Sequence, residues 1–226
     1  MQVPIEWLPE RGHAEQLILL LHGQGQTGAE MAPLAQALRA TFPQAAVLAP
    51  DAPHADGSAI GRRWFAAHHP AGNLPAADDV AQALASLQRW VQAQQKRLGV
   101  GAAATALGGL GHGAMLALAL ALQHDGIAGR VLAFAGAFAA PPQAAPRHTT
   151  LHLFHGEADE VMPVEGARKA LRQLAELQGD ATLDTAAGVG HALHPALVDC
   201  ALQRLQTHIP LRTWQAALGA AQPLHI

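Results

Sequence analysis

The stretch GLGHG, residues 109–113, lies between an apolar strand-like run (Ala103–Leu107) and an apolar helix-like run (Ala114–Gln123). The frame G-x-S-x-G at a strand-to-helix turn is a nucleophile elbow, a sharp turn that lifts its central residue clear of the backbone. The centre of the frame here is Gly111, not serine. That residue raises two questions: whether the chain around it supplies the fold such a turn needs, and what a glycine does there.

Outward from the elbow the chain alternates. Gln16–His22 is a dense apolar run closed by a glycine-rich turn, which reads as a buried strand. Glu30–Thr41 carries Met31, Leu34 and Leu38 at helical spacing, and Ala45–Ala49 is a short strand stopped by Pro50. Asp78–Leu98 is a long amphipathic helix through Val80, Leu84, Leu87 and Val91. Downstream, Gly129–Ala135, Thr149–Phe154 and Ala181–Thr185 read as strands. Val164–Leu177 and Ala192–Thr207 read as helices, with Thr213–Leu218 a last short one. Strands alternating with helices predict parallel β-α-β units with right-handed crossovers. The expectation is one α/β domain over residues 1–226, a mostly parallel sheet with helices on both faces. Two long irregular stretches, Asp51–Pro75 and Ala137–Thr149, each follow a strand. They fall at the carboxyl edge, where open α/β sheets bind ligands.

Composition narrows the function classes. Half of the residues are apolar and 14% are charged, which excludes a disordered chain. A formal net charge of −3 offers no electrostatic footprint for nucleic acid and no basic membrane anchor. The single Cys200 makes no internal disulfide, and the N-terminal MQVPIEWLPERGH lacks a basic, then apolar, signal pattern; a cytoplasmic location is expected. Residues 101–122 carry no Asp, Glu, Lys or Arg, long enough for a transmembrane helix of ~20 residues. Four glycines and His112 interrupt that run, so a strand, a tight turn and a buried helix are expected and no membrane span.

A triad built on such an elbow follows the chain order nucleophile, acid, histidine. Gly111 holds the first place, Asp159 in HGEADEVMP the second and His191 in GVGHALHP the third. Each lies in a loop after a strand, so all three converge above the carboxyl edge. Taken singly, Asp159 reads as a helix cap and His191 as a packed or capping residue. In this order and placement they read as a dyad, Asp159 accepting the Nδ1–H of His191 and fixing its tautomer. Two backbone N–H groups would form the oxyanion hole: His112, after the nucleophile position, and Gln24 in LHGQGQTG, residues 21–28. Gly23, Gly25 and Gly28 let that loop fold tightly toward an anion, and G-x-G-x-T-G matches neither a Walker loop nor a dinucleotide fingerprint. His22, His112 and His191 share no metal-ligand spacing, so no metal is expected.

With LLLHGQGQTG, GRRWF, GLGHGAMLAL, HGEADEVMP and GVGHAL in view, the chain resembles the carboxylesterase/phospholipase family of small α/β hydrolases, which includes acyl-protein thioesterases. The resemblance covers about residues 18–195. It implies the α/β-hydrolase fold without a separate cap domain, no cofactor, and short acyl esters or thioesters as small-molecule substrates; a monomer or homodimer is expected. It also implies that Trp64 and Phe65 line an acyl pocket; as residues alone they read equally as core anchors beneath the long loop. The chain departs from the family at the serine, and at Gln26, where the family often carries Asp. Its serines are Ser58, in the long loop, and Ser86, inside the long helix.

Glycine enters the elbow conformation without the ~1–3 kcal/mol that strains other residues there. Its cost is chemical: losing the serine in such enzymes lowers kcat by about 10⁶. Three readings stay open. The chain is a carboxylesterase scaffold with hydrolysis lost or very weak; or it is a repurposed enzyme using His112 or the His191–Asp159 dyad directly; or it is a non-catalytic binding protein. For His112 the repurposed reading turns a neutral imidazole into the space Gly111 leaves, while the plainer reading uses only its backbone N–H.

Overall fold

The computed structural model describes residues 5–220. Its elements in chain order are β1 (Ile5–Trp7), β2 (Gln16–Leu21), α1 (Ala32–Thr41), β3 (Ala45–Ala49), β4 (His54–Ala55), β5 (Arg62–Arg63), α2 (Ala77–Leu98), β6 (Thr105–Leu110) and α3 (His112–Gln123). There follow β7 (Arg130–Phe134), β8 (Thr150–Gly156), α4 (Val164–Glu176), β9 (Ala181–Ala186), α5 (Pro195–Thr207) and α6 (Leu211–Ala220). Seven strands form one sheet in the order β1-β3-β2-β6-β7-β8-β9, parallel except for β1, which runs antiparallel to β3. The expected mostly parallel sheet with helices on both faces is the architecture found.

The two faces can be read from β2. Leu17, Leu19 and Leu21 point into a core shared with α2 and α3; Ile18 and Leu20 point into a second core under α1 and α5. Continuous apolar strands are what burial on both faces requires. α3 runs through the middle and is buried almost all round, with Met115, Leu116, Leu118 and Leu120 each at most 1% exposed. The charge-free run 101–122 is therefore a 3₁₀ turn, β6, the elbow and most of α3. Among the described residues no helix is long and apolar enough to cross a membrane.

The differences from the sequence reading are local. β6 starts and ends later than expected, running through Gly108 and Gly109 to Leu110, so α3 begins at His112 rather than Ala114. Close packing explains those glycines: a Cβ on Gly108 would lie 2.7 Å from Leu20 Cδ2, and one on Gly109 2.5 Å from Ala114 N. α5 starts at Pro195, a proline at the first helical position with His194 as cap, leaving Ala192–His194 in the loop. Neither β1 nor the β4–β5 hairpin was expected: strands of two or three residues show no periodicity to read.

Candidate active site

β2, β6, β8 and β9 end at the same edge of the sheet, and each delivers one part of the site. The turn after β6 puts Gly111 at φ 53°, ψ −116°, immediately before α3. This is a left-handed backbone region in which a side chain is strained. The helix is held close: a Cβ on Gly113 would collide with Leu21 O and His22 O of the neighbouring strand and its loop. Gly111 N–H donates to Phe134 O at 3.0 Å, and Met115 N–H to Gly111 O at 2.9 Å, so both sides of the turn are fixed.

The loop after β8 carries Asp159, buried at 5% exposure. Its Oδ1 accepts the N–H groups of Val161 and Met162 at 2.9 and 2.8 Å, leaving Oδ2 for His191 Nδ1 at 2.9 Å. The His191 loop is laid against this one by Ala158 N–H donating to Val189 O at 2.9 Å. The close approach needs Gly156, whose Cβ would lie 2.6 Å from Gly190 O. With Nδ1–H donating to Asp159 Oδ2, the Nε2 lone pair of a neutral His191 is free. It faces the elbow: a Cβ built on Gly111 would lie 3.0 Å from His191 Nε2. Of the side chains outside the turn, His191 is the one that reaches this position.

The loop after β2 folds over on itself, with Gly23 N–H donating to Gln26 Oε1 at 2.9 Å and Gln26 N–H to Gly23 O at 3.3 Å. Gln26 thus closes the turn. Arg62 of β5 stitches the loop down from outside, accepting from Gly25 N–H at 3.0 Å and donating to Gln26 O at 2.9 Å. No acceptor among the described residues takes the Gln24 N–H, and His112 N–H opens a helix and has no intrahelical acceptor. These are the two N–H groups that the sequence nominates for an oxyanion hole.

The His112 side chain is engaged as well. Its ring is 2% exposed, with Nε2 3.1 Å from Asn73 O, Nδ1 3.3 Å from the Gln24 side chain, and Phe65 edge-on at 5.3 Å between centroids. Burial lowers its pKa, the Asn73 contact opposing. Nε2 donates to the Asn73 carbonyl, and Nδ1 lies against the Gln24 side-chain oxygen. Both nitrogens are therefore occupied away from the elbow, and no free lone pair is presented there. Trp64 and Phe65 are 2% and 1% exposed, packed beneath the long loop. They are anchors: Trp64 Nε1–H donates to His22 O at 2.8 Å, and its ring packs 4.9 Å from that of His22. His22 is itself tied to Gly23 O at 2.8 Å and Ala52 N–H at 3.0 Å. Ser58 Oγ donates to Asp56 Oδ1 at 2.7 Å within its own exposed turn, and Ser86 lies exposed on α2.

One neighbour of the site went unread in the sequence. His155, 2% exposed, donates from Nε2 to Met162 O at 2.6 Å and lies 3.5 Å from Asp159 Oδ2. Burial lowers its pKa, opposed by the Met162 bond and the Asp159 charge. The signal was the i, i+4 spacing of His and Asp in HGEADEVMP.

Comparison with known proteins places the chain in a family. Residues 8–209 match the phospholipase/carboxylesterase family model. The chain is 35% identical to the esterase YpfH of Escherichia coli (strain K12) over 93% of this chain and 90% of that one. It is 30% identical to acyl-protein thioesterase 1 of Saccharomyces cerevisiae over 67% of this chain and 73% of that one. The crystal structure of esterase PE8 superposes with a TM-score of 0.82 at 31% identity, covering 90% of this chain and 97% of that one. Sheet order, loop placement and sequence all lead to one assignment: this chain is an α/β hydrolase belonging to the phospholipase/carboxylesterase family.

Proposed function

We propose that the chain is a carboxylesterase-type scaffold for short acyl esters or thioesters in which Gly111 occupies the nucleophile position, so that serine-type hydrolysis is lost or very weak. The observation that carries the reading is His191 Nε2, 3.0 Å from where a Gly111 Cβ would stand, in a turn with φ 53°. A base oriented by a buried carboxylate, aimed at an elbow with no side chain, is a triad lacking its first member. The Gln24 and His112 N–H groups are the donors for a developing oxyanion. Family membership supports an ester substrate. What remains without the serine is on the order of 10³–10⁴ over water, from such donors and binding.

In this state His191 acts as general base on a water in the space above Gly111, with Asp159 holding its tautomer. His112 is assigned to holding the long loop, not to nucleophilic attack. A pure binding role would not need an acid and a base kept in register at 2.9 Å. The test is Gly111→Ser assayed on a short p-nitrophenyl ester. Catalytic efficiency, kcat/KM, is expected to rise by about 10³-fold or more, a gain abolished again by His191→Ala in the same background. No gain from a folded Gly111→Ser protein would overturn the reading.

A further inference from the structure

The opposite end of the sheet holds a second constellation. The amino ends of β2, β6 and β7, with Phe42 after α1, Leu205 of α5 and the start of α6, enclose an open-mouthed cavity of about 330 Å³. Its walls are largely apolar, with Ile18, Phe42, Ala106, Leu205 and Pro210 prominent, and Arg130 and Arg212 line the same space. β6 is six residues long, so the dyad lies on the order of 20 Å away at ~3.3 Å per residue.

The two guanidiniums are unusual neighbours. Arg130 NH1 and Arg212 NH1 both donate to Thr150 Oγ1, at 3.3 and 3.2 Å. The remaining side-chain bonds of Arg130 go to backbone carbonyls, Gly129 O at 3.2 Å and His208 O at 3.4 Å. No carboxylate among the described residues lies within 4.0 Å of either. The nearby acid, Asp180, is already engaged by Thr150 Oγ1 at 2.7 Å, His208 Nε2 at 3.0 Å and Leu211 N–H at 3.0 Å. Burial, and then the charge of Arg212, lowers the Arg130 pKa. Two like charges are thus drawn together, half-buried, at the rim of an apolar cavity, each with donors to spare. A planar carboxylate matches guanidinium donors two at a time. An inorganic anion would satisfy the arginines and leave the apolar walls wet. A neutral lipid would fill the walls and leave the charges unpaired.

We infer that this cavity is a binding site for an aliphatic monocarboxylate, its head group between Arg130 and Arg212 and its alkyl chain against Ile18, Phe42 and Leu205. The inference is independent of the elbow and its chemistry.

The probe is sodium octanoate, titrated calorimetrically into the full chain, with octanol and sodium phosphate as separate titrants. One octanoate per chain is expected, bound at least tenfold more tightly than either control. Arg212→Gln lies on the half-buried first turn of α6 and is expected to weaken octanoate at least tenfold. Ala104→Trp, at an exposed position on the cavity mouth, is expected to do the same by obstruction, with a melting temperature near that of the parent. Octanoate binding that neither variant changes locates the ligand elsewhere, the elbow included, and overturns the assignment. Phosphate binding as tightly as octanoate would overturn the monocarboxylate class.

Discussion

Gly111 shows how one residue separates geometry from chemistry. Its φ of 53° is open to glycine at little cost, whereas any side chain there is strained by ~1–3 kcal/mol. The Cβ would also press on His191 at 3.0 Å, a contact the ring can relieve by a shift of a few tenths of an ångström about the Asp159 bond. Gly111→Ala therefore isolates the strain from the chemistry. For a protein of this size ~1 kcal/mol moves the melting temperature by about 2–4 °C. Gly111→Ala is expected to melt about 2–12 °C lower than the parent, with no gain in hydrolysis. Differential scanning calorimetry beside the ester assay checks this; an unchanged melting temperature would mean the turn is not strained. The serine variant should carry a similar loss and recover activity despite it.

At the scale of elements, the segment between β3 and α2 borders the site through His112. Apart from β4 and β5 it is irregular, and it is held at separate points: Arg62 to the Gln26 loop, Asn73 O to His112, and His69 to Asp79 of α2 at 2.9 Å. His112→Ala removes one of these ties. In the Gly111→Ser background it is expected to leave kcat within a few-fold and to speed tryptic cleavage at Arg62 and Arg63. Complete loss of activity with unchanged proteolysis would return His112 to a chemical role. The same segment marks where the sequence stopped being legible. The long elements follow from apolar periodicity, and the His191–Asp159 pairing from loop order, because both depend on chain-wide pattern. The ties of His112 depend on a carbonyl at Asn73 in a stretch with no period at all. His155 was hidden differently: its partners are Met162 O and a carboxylate already assigned to another histidine. Trp64 and Phe65 show the limit of resemblance, since the same letters serve a pocket or an anchor.

Over the whole molecule, the buried histidines set how stability follows pH. His22, His112, His152 and His155 all sit in the interior, and burial is the first cause lowering the pKa of each. The largest fall is at His152 in β8, where burial and then the charges of His208 and Arg130 push it down to about 3, against the pull of Asp180. Its Nδ1 bonds Thr182 Oγ1 at 2.8 Å while Nε2 has no partner among the described residues, so a proton added there meets no acceptor. The folded pKa is depressed, so the unfolded chain takes up protons first as pH falls below 6.5. Stability is therefore full above that value and is lost on acidification, down through about pH 3. One such histidine removes about 2 kcal/mol between about pH 8 and pH 5, since each pH unit of full protonation difference is worth ~1.4 kcal/mol. His152→Leu is expected to flatten the dependence by that amount while leaving the His191–Asp159 pair, at the carboxyl end of the sheet, in place. Urea unfolding of parent and variant at about pH 8 and pH 5 measures the difference. Equal losses in the two proteins would show that His152 is not neutral in the folded state, and that the unpartnered Nε2 carries its proton at no cost.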